Sequence, residues 1–314
     1  MAWTSGTASN MVGLLQDLET FLATNGWTVL RSETFQNGGG VIPQLNNYDI
    51  GDEYSSTGDS GVDEYRIVMQ GPGYAGAAPP VFGIETRRFA AYNYNYLVLA
   101  SSVGSGAAGT PVYQMPGVSD SERAIALFSL WDAPMNYWFT EDGGAVCAVV
   151  QVSNIFFHFY IGHYVPLATP GEIPQPAIYT GNIDAPAVRP YTNSNLACFG
   201  TYRSTPFERV GFIWTGGNVP IEPGSYNSVS AEFFYESDKQ FFQPGVTDTG
   251  DYLLYPITLI SKEFGCFGTL SLLYKAPLTA VAPGSTVDVD GTTYVITNNA
   301  YTDDAYNRFA VRLG

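Results

Sequence analysis

Between Asp142 and Glu172 the chain carries no Asp, Glu, Lys or Arg, and apolar and aromatic residues crowd into the run AVCAVVQVSNIFFHFYIGHYV. A membrane-spanning helix needs roughly 20 mostly apolar residues, and Gln151, Ser153, Asn154, His158, Gly162 and His163 interrupt this run. Its Val, Ile, Phe and Tyr favour strands, and Asp142-Gly143-Gly144 reads as a hairpin turn. The pattern predicts two adjacent antiparallel strands after that turn, 145–152 and 155–165, buried on at least one face. Trp131, Trp138, Phe156 and Tyr160 are the expected core anchors. No membrane association is expected.

Helical spacing is clear once. Met11, Leu14, Leu15, Leu18, Phe21 and Leu22 recur at i, i+3, i+4 and i+7, Ser9 or Asn10 supplies a cap, and Asn25-Gly26 a stop. A strand at 27–31 follows, and then 35–62 is polar and glycine-rich and reads as an exposed loop or arm. Alternation predicts strands at 65–70, 81–86 and 92–101, with a glycine-rich loop at 102–117. Ser119-Asp120-Ser121-Glu122 fits a capping box, but the run ending near Trp131 is apolar nearly all round, so a short buried helix and a strand are equally compatible. Residues 166–190 read as an extended, proline-rich connector. Further strands are expected at 196–202, 210–215, 230–235, 253–261 and 267–274. A hairpin of 286–289 and 293–297 about Asp290-Gly291 and a closing strand at 309–313 end the chain. The expected fold is mostly β (α+β), antiparallel sheets in a barrel-like sandwich with one N-terminal helix. It divides into lobes 1–190 and 191–314, or forms one domain.

Composition narrows the function classes. With 45% hydrophobic and 15% aromatic residues in 314, the chain has enough apolar mass for a core. Thirteen basic residues against 29 acidic give a net charge of −16, a field that repels phosphate backbones. Sequence-specific nucleic-acid binding is not expected, although an acidic lining would let DNA pass without sticking. Cys147, Cys198 and Cys266 are scattered and odd in number, which suits free buried thiols in a reducing cytosol. The first ten residues show no signal-peptide pattern.

Each candidate for chemistry has a plainer structural reading. Gly71-Pro72-Gly73-Tyr74-Ala75-Gly76 matches GxGxxG, but prolines and a strand follow where a phosphate-binding helix should begin; it reads as a turn. Gly58-Asp59-Ser60-Gly61 looks like a protease nucleophile loop, yet both histidines lie after Ser60, the reverse of the chymotrypsin order. His158 and His163 have opposite parity within one strand, so they do not share a face and cannot jointly hold a metal there. Asp49, Asp52, Glu53, Asp59, Asp63 and Glu64 form an acidic cluster that a calcium ion would accept by charge but that lacks the EF-hand spacing. Tyr92, Tyr94 and Tyr96 alternate as in a half-buried strand. No catalytic residue, cofactor or metal ligand is expected, and no enzyme.

Several strings resemble a family of tailed-bacteriophage virion proteins. They are Leu130-Trp131-Asp132-Ala133-Pro134 with Tyr137-Trp138-Phe139, the segment from Tyr160 to Pro174 of the type G-x-x-x-P-x-A-T-P-x-E-x-P, Asn25-Gly26-Trp27-Thr28-Val29, and the ending Phe309-Ala310-Val311-Arg312-Leu313. Together they cover about a third of the chain. Where the family would place aromatics near Ile173 and Gln175, this chain has none. The resemblance implies a non-enzymatic component of the virion, made in the host cytoplasm and assembling as a ring in the neck, collar or tail. Its partners would be copies of itself and other neck and tail proteins. Pro166, Thr169, Pro170, Glu172, Pro174 and Pro176 would form an interface loop, and 38–60 an arm docking by strand addition. The alternative is a tail-associated receptor- or carbohydrate-binding module. A hydrolase built on Ser60 is the third reading.

Overall fold

The computed structural model describes residues 1–36, 63–73, 79–89, 94–102, 104–116, 125–167, 177–180, 196–199, 254–261, 265–276, 281–298 and 308–314. In chain order these build β1 (Ala2–Ala8), helix α1 (Met11–Thr24), β2 (Thr28–Gln36), β3 (Asp63–Gln70), β4 (Val81–Phe89), β5 (Tyr94–Ser102) and β6 (Ile125–Ser129). There follow β7 (Met135–Glu141), β8 (Ala145–Val152), β9 (Ile155–Gly162), β10 (Val165–Pro166), β11 (Ala177–Thr180) and β12 (Leu196–Phe199). The last five are β13 (Tyr255–Ser261), β14 (Gly265–Lys275), β15 (Thr286–Val289), β16 (Thr292–Asn298) and β17 (Arg308–Arg312). The chain is mostly β with antiparallel sheets and, among the described residues, one α-helix near the N-terminus, as expected, and it is sandwich-like and not a closed barrel.

Three sheets stack in layers. A first sheet is the meander β2-β3-β4-β5-β6, a central one has the order β1-β7-β8-β9-β11-β12, and a third has β10-β14-β17-β16-β15 with β13 also on β14. Along β8, Val146, Ala148, Val150 and Val152 join a core with α1 and with Ile67, Met69, Phe82, Ile84, Leu97 and Leu99 of the first sheet. The alternate residues Ala145, Cys147 and Val149 join a second core with Leu270, Leu272, Leu273, Phe309 and Val311 of the third. A sheet covered on both faces has no polar side to show, so β8 and β9 read as continuous apolar runs without alternation. This is the physical origin of the charge-free stretch. Each large side chain fully buried there, Phe157 or Phe159 for example, contributes on the order of 1.5–3 kcal/mol. The second core unites residues from both sides of position 190.

Helix α1 begins and ends on the residues that its spacing predicts. The Asn10 side chain accepts from the Gly13 N–H at 2.8 Å, and the Met11 N–H, another of the free first-turn donors, reaches Asp132 Oδ1 at 3.0 Å. All six spaced residues are buried. The Asn25 side chain donates to the Phe21 carbonyl at 2.7 Å, and Gly26 adopts φ +88° as the chain turns toward β2.

Several boundaries differ from the expectation. The charge-free stretch contributes to a three-stranded meander, since β7 precedes the turn and pairs with β8. The strand expected over 155–165 ends at Gly162, and Val165–Pro166 pairs with β14 in the third sheet. Gly162 has φ +136°, and a Cβ there would lie 2.4 Å from the Gly144 carbonyl oxygen, so the switch between sheets is built on a residue with no side chain. The run before Trp131 is a strand, β6, paired with β5, and Ser119 to Glu122 lie outside the described residues. β2 extends to Gln36, so Phe35 and Gln36 belong to a strand and not to the loop. The proline-rich connector contains a strand, β11, because β9 offers it a free edge. β1 was not anticipated: Ala-Trp-Thr-Ser-Gly-Thr-Ala has no apolar alternation, and it is a strand because β7 pairs with it over its whole length. Trp131 and Trp138 are half-buried at the rims of the two cores, whereas Phe156 and Tyr160 lie inside. The strands expected at 210–215 and 230–235 lie outside the described residues.

Candidate functional site

Among the described residues, polar side chains gather at a hairpin turn and on one face of the first sheet. The first is the hairpin turn between β7 and β8. Asp142 Oδ1 accepts the N–H groups of Gly144 at 3.1 Å and Ala145 at 2.8 Å, a side-chain-closed turn. Its second oxygen accepts the Ser271 hydroxyl from β14. Glu141 Oε2 accepts the Gly143 N–H at 2.7 Å and the Trp27 indole N–H at 3.3 Å. The Tyr160 hydroxyl donates to the His163 carbonyl, and the His163 N–H to the Gly144 carbonyl at 2.8 Å. One turn therefore fastens the central sheet to Trp27 on one side and to the third sheet on the other. Burial pushes the Tyr160 phenol far above its ordinary value, and the nearby Asp142 adds to that, so Tyr160 stays a protonated donor.

The second is a strip of charge on the face of the first sheet that points away from α1. Cross-strand register sets Glu33 beside Arg66 and Arg66 beside Glu85. Arg66 Nε donates to Glu85 at 2.6 Å and its Nη1 to Glu33 at 3.0 Å, while Arg87 Nη2 lies 2.8 Å from Glu85. The Phe35 ring lies 4.0 Å beneath the Arg66 guanidinium. The segment 104–116 closes over the strip: the Val112 N–H donates to Glu85 at 3.0 Å, the Gly109 N–H to Glu33 at 3.0 Å, and Arg31 to the Ala107 carbonyl at 2.6 Å. This segment, expected to be a plain loop, buries Val112 and Met115 against the sheet. Burial pushes the Glu33 carboxyl up, but the bonds from Arg66 and Gly109 outweigh it and hold the group below the usual range.

An adjoining group runs through Glu64, Thr86, Arg88 and Asp132. Glu64 accepts the Thr86 hydroxyl and the Arg88 N–H, the latter at 2.8 Å, and Arg88 Nη1 reaches Asp132 at 3.1 Å. Burial raises the Glu64 carboxyl despite these donors. Glu64 was expected in a solvated acidic loop; it is instead fully buried in β3, because a strand position facing Arg88 and Thr86 gives it partners. Asp63 is exposed at the start of the same strand. Asp49, Asp52, Glu53 and Asp59 lie outside the described residues, as does Ser60 with its flanking glycines.

The remaining sequence candidates occupy separate surroundings. His158 is buried between the central and third sheets, its ring 4.7 Å from Phe309, whereas His163 sits past the end of β9 in the passage to β10. Gly71 begins the connection of a hairpin in which Gln70 pairs with Val81; its N–H donates to the Pro80 carbonyl at 2.8 Å, and Tyr74, Ala75 and Gly76 of this motif lie outside the described residues. Pro166 is half-buried on the edge strand β10 opposite Gly268, and the next residue, Leu167, is 60% exposed. Thr169, Pro170, Glu172, Pro174 and Pro176 lie outside the described residues. Tyr94 and Tyr96 belong to β5. Among the described residues no three His, Cys, Asp or Glu side chains come together as a metal site, and no helix is long and apolar enough to cross a membrane.

Sequence reasoning missed the charge strip. Its signal was the alternation of charged residues, Arg31-x-Glu33 on one strand and Glu85-x-Arg87 on another, which places like-parity charges on one face. Between α1 and β3 lies a polar groove of 610 Å³ lined by Gln16, Glu19, Thr20, Ala23, Thr24 and Tyr65. In it the Tyr65 hydroxyl donates to Glu19 at 2.5 Å and contacts Ser32 at 2.7 Å. Compared with known proteins, the chain matches no family model, and a search of curated proteins gives no match.

Proposed function

We propose that this chain is a non-enzymatic structural component of a tailed-phage virion, assembling with copies of itself as a ring in the neck, collar or tail. The resemblance supports the phage context: its strings fall on the turn from α1 into β2, on the approach to β7 and β7 itself, on the end of β9 with β10, and on β17, while 168–174 lie outside the described residues. The observation that carries the assembly reading is the open edge of β1. Among the described residues this strand ends its sheet; it spans seven residues and has no charge, no proline and no bulge. Edges of monomeric proteins are guarded by such features, and an unguarded edge is a template for pairing. Beside it Met1 is 53% and Trp3 48% exposed, and an exposed tryptophan suits a subunit contact. The partners on this reading are further copies and other neck and tail proteins, the place is the virion, and the acidic surface leaves DNA free to pass.

Electron microscopy of the purified chain, with antibody labelling of intact particles, tests this. Rings and labelled particles are expected. A strict monomer together with unlabelled particles would sink it. The groove at Tyr65 favours a second reading, a tail-associated receptor- or carbohydrate-binding module, because hydroxyl, amide and carboxylate groups line it as a sugar would require. Glycan-array binding lost in Tyr65→Ala would favour that reading.

A further inference from the structure

Arg31 stands on β2 at the margin of the charge strip, and one side of its guanidinium is fully engaged. Nη1 contacts Glu33 Oε1 at 3.1 Å and donates to the Ala107 carbonyl at 2.6 Å. The other side, formed by Nε and Nη2, has no acceptor among the described residues, although both atoms are buried. The side chain as a whole is 8% exposed. Buried donors of a charged group are rarely left without acceptors, since each such omission carries a desolvation cost. Nε and Nη2 carry two parallel N–H bonds along one edge, a fork whose spacing matches the two oxygens of a carboxylate or phosphate; a single carbonyl satisfies one arm only.

The carboxylates already present are committed elsewhere. Glu33 accepts from Arg31, Arg66 and the Gly109 N–H, and Glu85 from Arg66, Arg87 and the Val112 N–H. Among the described residues, Arg31, Arg66 and Arg87 thus meet two carboxylates in this strip. Burial, the largest influence on Arg31, holds its guanidinium below the ordinary value, and Arg66 acts in the same direction; a desolvated cation of this kind gains from a further anion.

We propose that the Nε–Nη2 edge of Arg31 is an oxyanion site, taking the paired oxygens of a carboxylate or phosphate side-on. Two sources fit this chemistry: free phosphate, or an acidic side chain of another copy of this chain, which carries 29 acidic residues. The assignment concerns a fork within one chain and stands apart from the virion reading.

The test is thermal unfolding of the full chain in inorganic phosphate, with sodium chloride matching the ionic strength, for wild type and for Arg31→Lys. Lysine keeps the charge and much of the length but not the fork, so the general salting effect of phosphate is common to both. The expected result is a saturable rise in the wild-type midpoint, with at least tenfold more phosphate needed for the same rise in Arg31→Lys. Phosphorus NMR line broadening of phosphate by the wild type, reversed by acetate, gives the same answer without any variant. Equal responses in the two proteins, or no broadening, overturn the assignment. Sedimentation then separates the sources. A mass that falls with phosphate in the wild type alone assigns the fork to another copy's carboxylate, and a constant mass assigns it to the free anion.

Discussion

Glu85 and Arg66 face each other across β4 and β3, and the Arg66 Nε meets the Glu85 carboxylate at 2.6 Å with both side chains buried. The same carboxylate oxygen holds the Val112 N–H, so one ion pair fixes both the sheet and the segment that covers it. Removing one member of a buried pair leaves the other charge stranded, at about 3–5 kcal/mol. Glu85→Gln is expected to lose stability in that range in urea titrations. A loss under about 1 kcal/mol would mean that the pair behaves like a solvated surface bridge.

Gly83 lies on that face beneath the covering segment. A Cβ there would meet Met115 Cε at 2.6 Å and Val112 Cγ1 at 2.7 Å. Gly83→Ala is expected to cost about 1–3 kcal/mol through overpacking and to speed protease cleavage within 104–116. Unchanged cleavage would show that the segment does not rest on this glycine.

Gly162 makes the passage from the central to the third sheet in a conformation that other residues rarely adopt. The clash of an added Cβ with the Gly144 carbonyl is with backbone, which does not yield as a side-chain tip does. Gly162→Ala should therefore destabilise by about 2 kcal/mol or more, read from the shift in the denaturation midpoint. A neutral effect would remove the pivot from the account of how the sheets connect.

Cys147 sits in the second core, and burial pushes its thiol well above the ordinary value. The thiolate is the reactive form, so iodoacetamide is expected to leave Cys147 unmodified in the native protein and to label it after unfolding. Peptide mapping by mass spectrometry checks this. Rapid native labelling would contradict the closed core.

Glu33 and Glu64 give opposite pH dependences. The Glu33 carboxyl is held low in the folded chain, so its contribution to stability is present above the unfolded value and fades as pH falls through the folded one. Glu64 is raised, so its contribution is present at low pH and fades as pH rises through its folded value. On acidification through the carboxylate range, wild type should lose ground against Glu33→Gln and gain ground against Glu64→Gln. Unfolding free energies of the three proteins along a pH series check the two slopes. Parallel slopes would show that neither group is perturbed as described.

Much of the fold is written locally. Six apolar residues at helical spacing, a capping Asn10 and a terminal Gly26 mark α1 in the sequence. The runs of β-branched and aromatic residues mark β8, β9 and β14, and Asp290-Gly291 marks the β15–β16 hairpin. Periodicity and turn chemistry act over a few residues, so they survive in the bare chain. The tertiary structure decided what each element meets. β1 is a strand because β7 pairs with it, Glu64 and Arg66 are buried because partners lie across the sheet, and the charge-free stretch is continuous because layers cover both its faces. Those outcomes depend on contacts between residues tens to more than a hundred positions apart, and a pattern read along the chain carries no term for them.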